Sequence, residues 1–352
     1  MNKVRQTFSI QAEACADLGS RFMGELCQSF AENLTEETAV GKLCLTWPGN
    51  DPGPSGDSVP LRLCGGLHAL VLTGKDERLA SFYTPQATSA PPWDVIEAAL
   101  IEHEPFLLDW MTSPPQTNEV GRSGIVWPAM MAIARWSGLP LRLLEVGASA
   151  GLNLQMDRFY YRFGGTTPGN EGSPVRLAPD MRGEDVTLHE AVVADRAGCD
   201  IRPLDPLTDA DALRLWAFLW PDQADRMTRL DGALALARTN PVIVAEVDAV
   251  DWLRTQLAQP VSGQCSVIYS TIAWQYLPHE ARATGETVIR AAGARATADA
   301  PLAWLRVEAD GDSPGAGIHL VLWPSGQDIA LGRADFHGRW LDWRGSALVI
   351  DN

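Results

Sequence analysis

The sequence predicts an α/β protein. Its expected core is a mostly parallel sheet of the doubly wound kind, with an antiparallel final strand pair and an N-terminal helical cap domain. Three observations predict it. Apolar residues recur at helical spacing through roughly the first third of the chain. Leu141–Val146 is then a short apolar run that stops at a turn of small residues. Beyond it, β-branched runs alternate with amphipathic segments, the pattern of strands separated by crossover helices.

Taken in order, Phe8, Ala12, Cys15, Leu18, Phe22, Leu26, Phe30 and Leu34 put one apolar stripe on a long helix over residues 7–34. Residues 48–60 are a loop by their Pro and Gly content. Residues 61–73 and about 92–103 predict helices, the second with Asp94 in its first turn, and Pro105 starts a short helix through Trp110. Residues 1–115 therefore form the helical domain, and 116–352 the sheet domain. A helix over 121–137 ends at Gly138 and Pro140, and Leu141–Val146 is the first strand. A helix over about 151–161 follows, then a Gly/Pro-rich insertion at about 165–185. Residues 186–204 hold a second strand, and helices cover 209–220 and 222–237. Residues 242–247 read as a buried strand, 250–257 as a helix, 266–272 as a strand and 279–292 as a helix. Residues 301–308 are a strand, and 318–323 with 329–334 form the closing antiparallel pair.

Composition narrows the function classes. The chain has 352 residues, enough for about two domains, and 46% apolar with 20% charged residues is ordinary for a globular protein. The formal net charge of −16, with no basic run, disfavours nucleic acid as a partner and leaves a small-molecule or protein substrate open, the small molecule being the expectation. No apolar run reaches the ~18 residues of a membrane span, and no apolar h-region follows Met1–Gln6. The six cysteines include no Cys-x-x-Cys pair, so reduced core thiols, no metal site and a cytoplasmic location are expected.

Chemistry concentrates at Glu145-Val146-Gly147-Ala148-Ser149-Ala150-Gly151-Leu152-Asn153. Small residues let a ligand approach the backbone, and a helix N-terminus offers free N–H groups. Glu145, Gly147 and Gly151 fit the acid-x-Gly-x-x-x-Gly spacing of the S-adenosylmethionine site in class I methyltransferases. Gly147-Ala148-Ser149-Ala150-Gly151 also satisfies the Gly-x-Ser-x-Gly nucleophile elbow of α/β-hydrolases. The dinucleotide fingerprint fails, because Ser149 and Leu152 stand where two glycines belong. Close helix–strand packing alone also explains small residues here.

Topology separates these readings. A hydrolase lays down several strands and a Gly-rich oxyanion loop before its nucleophile, whereas the preceding 140 residues here are mostly helical and hold no His-Gly-Gly. A hydrolase would use Ser149 with Asp205 and one of His279, His319 or His337. A non-catalytic Rossmann-like binding protein is a third class.

Several stretches carry a family resemblance. They are residues 116–123 (Gln-Thr-Asn-Glu-Val-Gly-Arg-Ser), 144–154, 157–161, 198–200, 220–223 and 270–278 (Ser-Thr-Ile-Ala-Trp-Gln-Tyr-Leu-Pro). Together they resemble an uncharacterised bacterial domain-of-unknown-function family that looks like a class I methyltransferase. That resemblance implies a Rossmann-like methyltransferase sheet and S-adenosylmethionine as cofactor.

It also implies roles. Glu145 would meet the cofactor's methionine ammonium, Gly147 and Gly151 would admit it to the backbone, and Ala148, Ser149 and Ala150 would line it. Asn153 either contacts the ligand or holds the turn. Asn118, Glu119 and Arg122 precede the first strand; Arg122 would pair with the cofactor carboxylate, or with Glu119 to fix the loop. Asp200, with Asp195 and Asp205 as rivals, would take the ribose hydroxyls. Asp248 and Ala249 would meet the adenine, unless Asp248 is only a helix N-cap. Trp274, Gln275 and Tyr276 would wall the substrate pocket, or serve as core. Glu119 and His279, with Trp274 and Tyr276, complete the catalytic candidates.

Overall fold

A computed structural model describes residues 3–348 apart from 55, 85 and 88. The chain divides into two compact units, Met1–Thr117 with Thr208–Thr228, and Asn118–Leu207 with Arg229–Asn352.

The first unit is helical: α1 (Lys3–Asp17), α2 (Arg21–Asn33), α3 (Ala39–Leu45), α4 (Val59–Leu72), α5 (Glu77–Ala80), α6 (Trp93–Glu102) and α7 (Glu104–Met111). The single long helix expected over 7–34 is two helices. Gly19 turns left-handed at φ 90°, and the Ser20 side chain caps α2 by accepting from the Met23 N–H. The apolar stripe continues across the break, with Phe8, Cys15, Phe22, Leu26 and Phe30 fully buried. The short helices α3 and α5, which apolar spacing did not reveal, start at capping side chains of Thr38 and Asp76.

Gly65 and Gly66 lie inside α4 because neighbours crowd it. A Cβ at 65 would come 2.5 Å from the Phe218 ring, and one at 66 would come 2.9 Å from Leu107. The helix Asp209–Ala217 also belongs to this unit, although its sequence position suggested the sheet domain. The buried His68 ring on α4 donates from Nδ1 to the Ala217 carbonyl at 3.2 Å.

The second unit carries α8 (Ser123–Ser137), ended by Gly138 in the left-handed conformation, then β1 (Leu141–Val146), β2 (Tyr160–Tyr161), β3 (Arg176–Leu177), β4 (Asp180–Gly183) and β5 (Val193–Asp200). With α9 for Asp209–Ala217, the chain continues through α10 (Ala224–Thr239), β6 (Val244–Glu246), α11 (Ala249–Gln256), β7 (Cys265–Thr271) and α12 (His279–Gly293). It closes with β8 (Leu302–Glu308), β9 (Ala316–Trp323), β10 (Asp328–Ala334) and β11 (Trp340–Trp343). The sheet order is β4-β11-β10-β9-β8-β7-β1-β5-β6. Strands β6, β5, β1, β7 and β8 run parallel, and β9 is antiparallel to β8 and β10. This is an α/β fold with a large mixed sheet.

Winding proceeds outward from β1, through β5 to β6 on one side and through β7 to β8 on the other. The chain therefore switches direction between β1 and β7, and a crevice outside the carboxyl ends of those strands is where open α/β sheets bind ligands.

Three expectations change. The helix expected over 151–161 is a 3-10 helix, Leu152–Arg158, with Gln155 off helical geometry at φ −104° and ψ 18°. The chain then extends so that Tyr160 and Tyr161 pair with Arg176 and Leu177. The strand read as buried over 242–247 pairs only through Val244–Glu246 at the sheet edge, and Ile243 is 88% exposed, because a short β-branched run does not distinguish edge from interior. The insertion contributes β4, which runs parallel to the unanticipated β11 at the opposite edge.

Candidate functional site

The turn after β1 is built from alternating left-handed residues, Gly147 (φ 73°), Ser149 (φ 51°) and Gly151 (φ 71°). Glycine is needed at both ends. A Cβ at 147 would lie 2.5 Å from that of Ala273, and one at 151 would lie 2.9 Å from Val244 Cγ2. The expectation of free N–H groups is corrected by the hydrogen bonds. Gly147 and Ala148 N–H both donate to the Cys199 carbonyl (2.9 and 3.0 Å), and Gly151 N–H donates to Ala148. Ser149 N–H donates to Asp200 Oδ2 at 2.9 Å, and Leu152 N–H to Asn118 Oδ1 at 2.8 Å. The turn thus presents small side chains, with these five donors already engaged.

The segment before α8 clamps this turn. Asn153 Nδ2 donates to the Glu119 carbonyl, and its Oδ1 accepts from the Ser123 hydroxyl at 2.7 Å. The buried Glu119 carboxylate accepts from the Gly121 N–H at 3.0 Å and lies 3.9 Å from an Arg229 nitrogen. Arg122 reaches two other segments, donating to the Thr271 carbonyl at the end of β7 and to the Phe336 carbonyl in the β10–β11 loop. It therefore ties three segments of the carboxyl edge together.

Acids stand at the ends of three neighbouring strands. Glu145 is side by side with Gly198 of β5 and Tyr269 of β7, and its buried carboxyl accepts from the Tyr269 hydroxyl at 3.0 Å. Burial pushes its pKa up to about 8, with Asp200 adding repulsion, against the Tyr269 hydrogen bond and the positive charge of Arg122. Asp200, at the end of β5, accepts from the N–H groups of Ser149 and Arg202. Asp248 follows β6 and caps α11, its Oδ1 accepting from Val250 and Asp251, with Ala249 as the first helical residue. Asp195 lies at the other end of β5 and pairs with Arg142 at 3.2 Å, away from the crevice.

On the β7 side, Ile272 also has a positive φ of 51°, which is strained for a β-branched residue. Trp274, Gln275 and Tyr276 form a 3-10 turn. The Trp274 ring is buried in the core, 5.5 Å from Trp304, whereas Tyr276 is 58% exposed and His279 is exposed at the start of α12.

Sequence reasoning missed Glu308. From the end of β8 its carboxylate accepts from the Ser270 hydroxyl at 2.7 Å and from the N–H groups of Ala273, Trp274 and Gln275. Burial raises its pKa against those donors. The available signal was an acid at the close of a predicted strand, the same signal that drew attention to Glu145.

The alternative triad is not assembled. The Ser149 hydroxyl is enclosed and has no hydrogen-bond partner among the described residues. Asp205 accepts from the Leu207 N–H, His319 lies on β9 with its ring 3.9 Å from Asp310, and His337 lies in the β10–β11 loop. All six cysteines are buried free thiols. Among the described residues no group of three His, Cys, Asp or Glu side chains could hold a metal ion, and no helix is long and apolar enough to cross a membrane.

Comparison with curated proteins and with solved structures gives no match in either. The model of an uncharacterised protein family conserved in bacteria, DUF2332, matches residues 5–343, and the chain belongs to that family.

Proposed function

We propose that the protein is an S-adenosylmethionine-dependent methyltransferase of the class I, Rossmann-like kind, acting on a small molecule. One observation carries the reading: Glu145, Asp200 and Asp248 stand at the ends of three adjacent strands, around a small-residue turn five of whose N–H groups are already engaged. Such a crevice repels phosphates, which seek free N–H donors, and suits a ligand with a cationic centre and hydroxyl groups. The winding outward from β1 is the arrangement a methyltransferase sheet requires, and β1 is the sheet's first strand, unlike the nucleophile strand of a hydrolase.

In this reading Glu145 faces the methionine ammonium, and Asp200, already oriented by two N–H groups, takes the ribose hydroxyls. Gly147 and Gly151 keep the turn low, and Asn118 and Asn153 hold it in place. S-adenosylmethionine supplies an activated methyl group. Transfer is a direct displacement, so the chain's contribution is positioning and exclusion of water. A cytoplasmic setting accords with this reading.

Calorimetric titration with S-adenosylmethionine and S-adenosylhomocysteine tests it. Micromolar binding, weakened at least tenfold by Asp200→Ala and uncompeted by NAD, is expected. No heat and no thermal shift with either ligand would refute it. Labelling of Ser149 by a serine-directed phosphonate would favour a hydrolase instead, and binding with no turnover on any acceptor would favour a binding protein.

A further inference from the structure

We propose that Glu145 is the proton-exchange group of the crevice: it holds a proton in the free protein, and a cationic ligand seated at the end of β1 sends that proton to solvent. The proposal rests on the methyltransferase reading for the ligand's identity. Its geometry comes from the residues themselves.

A buried carboxylate needs several donors or a counter-ion to remain charged. Glu145 is 1% exposed, and among the described residues its carboxyl has one hydrogen-bond partner, the neutral Tyr269 hydroxyl. The charged and titratable groups around it come from three elements. Arg122, ahead of α8, favours the anion, but its guanidinium is directed to the carbonyls of Thr271 and Phe336. Asp200, on β5, opposes the anion. Tyr269, on β7, is itself buried and held neutral, its pKa raised well above the usual value first by burial and then by Glu145. The balance leaves Glu145 mostly protonated at neutral pH, with its pKa near 8.

A cation arriving beside it reverses that balance. Within low-dielectric surroundings an ammonium or sulfonium at ~4–6 Å lowers a carboxyl pKa by about 1–3 units. The exchange balances: neutral carboxyl plus bound cation gives carboxylate–cation pair plus one proton in solvent. A neutral ligand gains nothing from the exchange, so Glu145 would select for positive charge at this position.

The test is calorimetric titration of S-adenosylhomocysteine, which keeps the ammonium, in buffers of different ionisation enthalpy at pH 6, 7 and 8. Wild-type protein should release between about 0.4 and 0.9 of a proton per ligand at pH 7, the range that a shift of about 1–3 units from 8 gives. Affinity should rise by up to roughly tenfold per pH unit below pH 8 and then level off. Glu145→Gln, close in shape and unable to ionise, should bind without that release and without that slope. The free ligand's amine is the same in both titrations and is already protonated at pH 6 and 7, so the difference at those two pH values belongs to Glu145. Binding with equal proton release by both proteins overturns the proposal and leaves the cofactor reading standing, whereas no binding by wild-type protein overturns both. Infrared difference spectra between wild-type protein and Glu145→Gln give a second readout. A protonated-carboxyl band in the free wild-type protein that fades as pH passes 8 supports the proposal, and its absence at pH 6 overturns it.

Discussion

Gly198 of β5 lies directly against Ala148 of the turn: a Cβ at 198 would come 2.7 Å from that of Ala148 and 3.0 Å from Leu154 Cδ1. The missing side chain on the second strand lets the turn after the first strand fold down over it. Gly198→Val should lift the turn or unfold the unit locally, costing about 2–3 kcal/mol. Gly165→Ala, where an added Cβ meets nothing within 4 Å, should be nearly neutral. Urea unfolding of the two variants checks the contrast, and equal midpoints would show that the contact is slack.

Much of this arrangement could be read in the sequence, for identifiable reasons. The strand Leu141–Val146 is legible to the residue because a Gly138-Leu139-Pro140 stop precedes it and Gly147 ends it. The helix around Val59–Leu72 is legible from its apolar run, and that around Ser123–Ser137 from the Gly138 and Pro140 that close it. Positions set by distant partners escaped. Nothing local to Leu152 says that its N–H bonds to Asn118, 34 residues earlier, or that the following turn becomes 3-10. Glu308 escapes because its partners lie 33–38 residues before it, and the packing of α9 on α4 is visible only in three dimensions. At the site, Asp200 and Asn118 accept from N–H groups of the turn that Gly147 and Gly151 bound, and Asn153 bonds back to the Glu119 carbonyl. Trp274 instead packs in the core.

Glu308 organises the turn that follows β7. Its two oxygens serve one hydroxyl and three N–H groups, so Glu308→Ala leaves buried donors unsatisfied in the turn that carries the strained Ile272. A loss of about 2–4 kcal/mol is expected. Glu308→Gln should lose less, because one amide oxygen still accepts. Hydrogen exchange should report faster opening of residues 272–276 in the alanine variant. Unchanged exchange there would mean that the turn is held by other contacts.

Ser149 carries two costs that a smaller residue would remove: a left-handed backbone and an enclosed hydroxyl with no partner among the described residues. Ser149→Ala should leave the free protein as stable or raise stability by ~1 kcal/mol. Ser149→Gly relieves the backbone as well, with part of that gain offset by its freer unfolded chain. A clear drop in unfolding midpoint for Ser149→Ala would show that the hydroxyl makes a stabilising bond in solution.

The two units should respond to pH in opposite directions. Glu145 in the second unit has a folded pKa of about 8, above its ordinary 4.5, through burial. Its contribution to stability is complete below pH ~4.5 and is lost as pH rises through 8. His68 in the first unit is also buried, and this lowers its pKa from 6.5 to about 4. Its Nδ1 donates to the Ala217 carbonyl, so the neutral ring is already accommodated. The His68 contribution is complete above pH 6.5 and is lost as pH falls through 4. Each slope approaches ~1.4 kcal/mol per pH unit inside its window. Between pH 6.5 and 8 the destabilisation should therefore concentrate in β1 and β7 and vanish in Glu145→Gln. Between pH 6.5 and 5 the first unit's loss should concentrate in α4 and shrink in His68→Asn, whose amide can replace the Nδ1 donor without titrating. Hydrogen exchange resolved by peptide separates the two, and a common pH profile for β1 and α4 would contradict the assignment of either group.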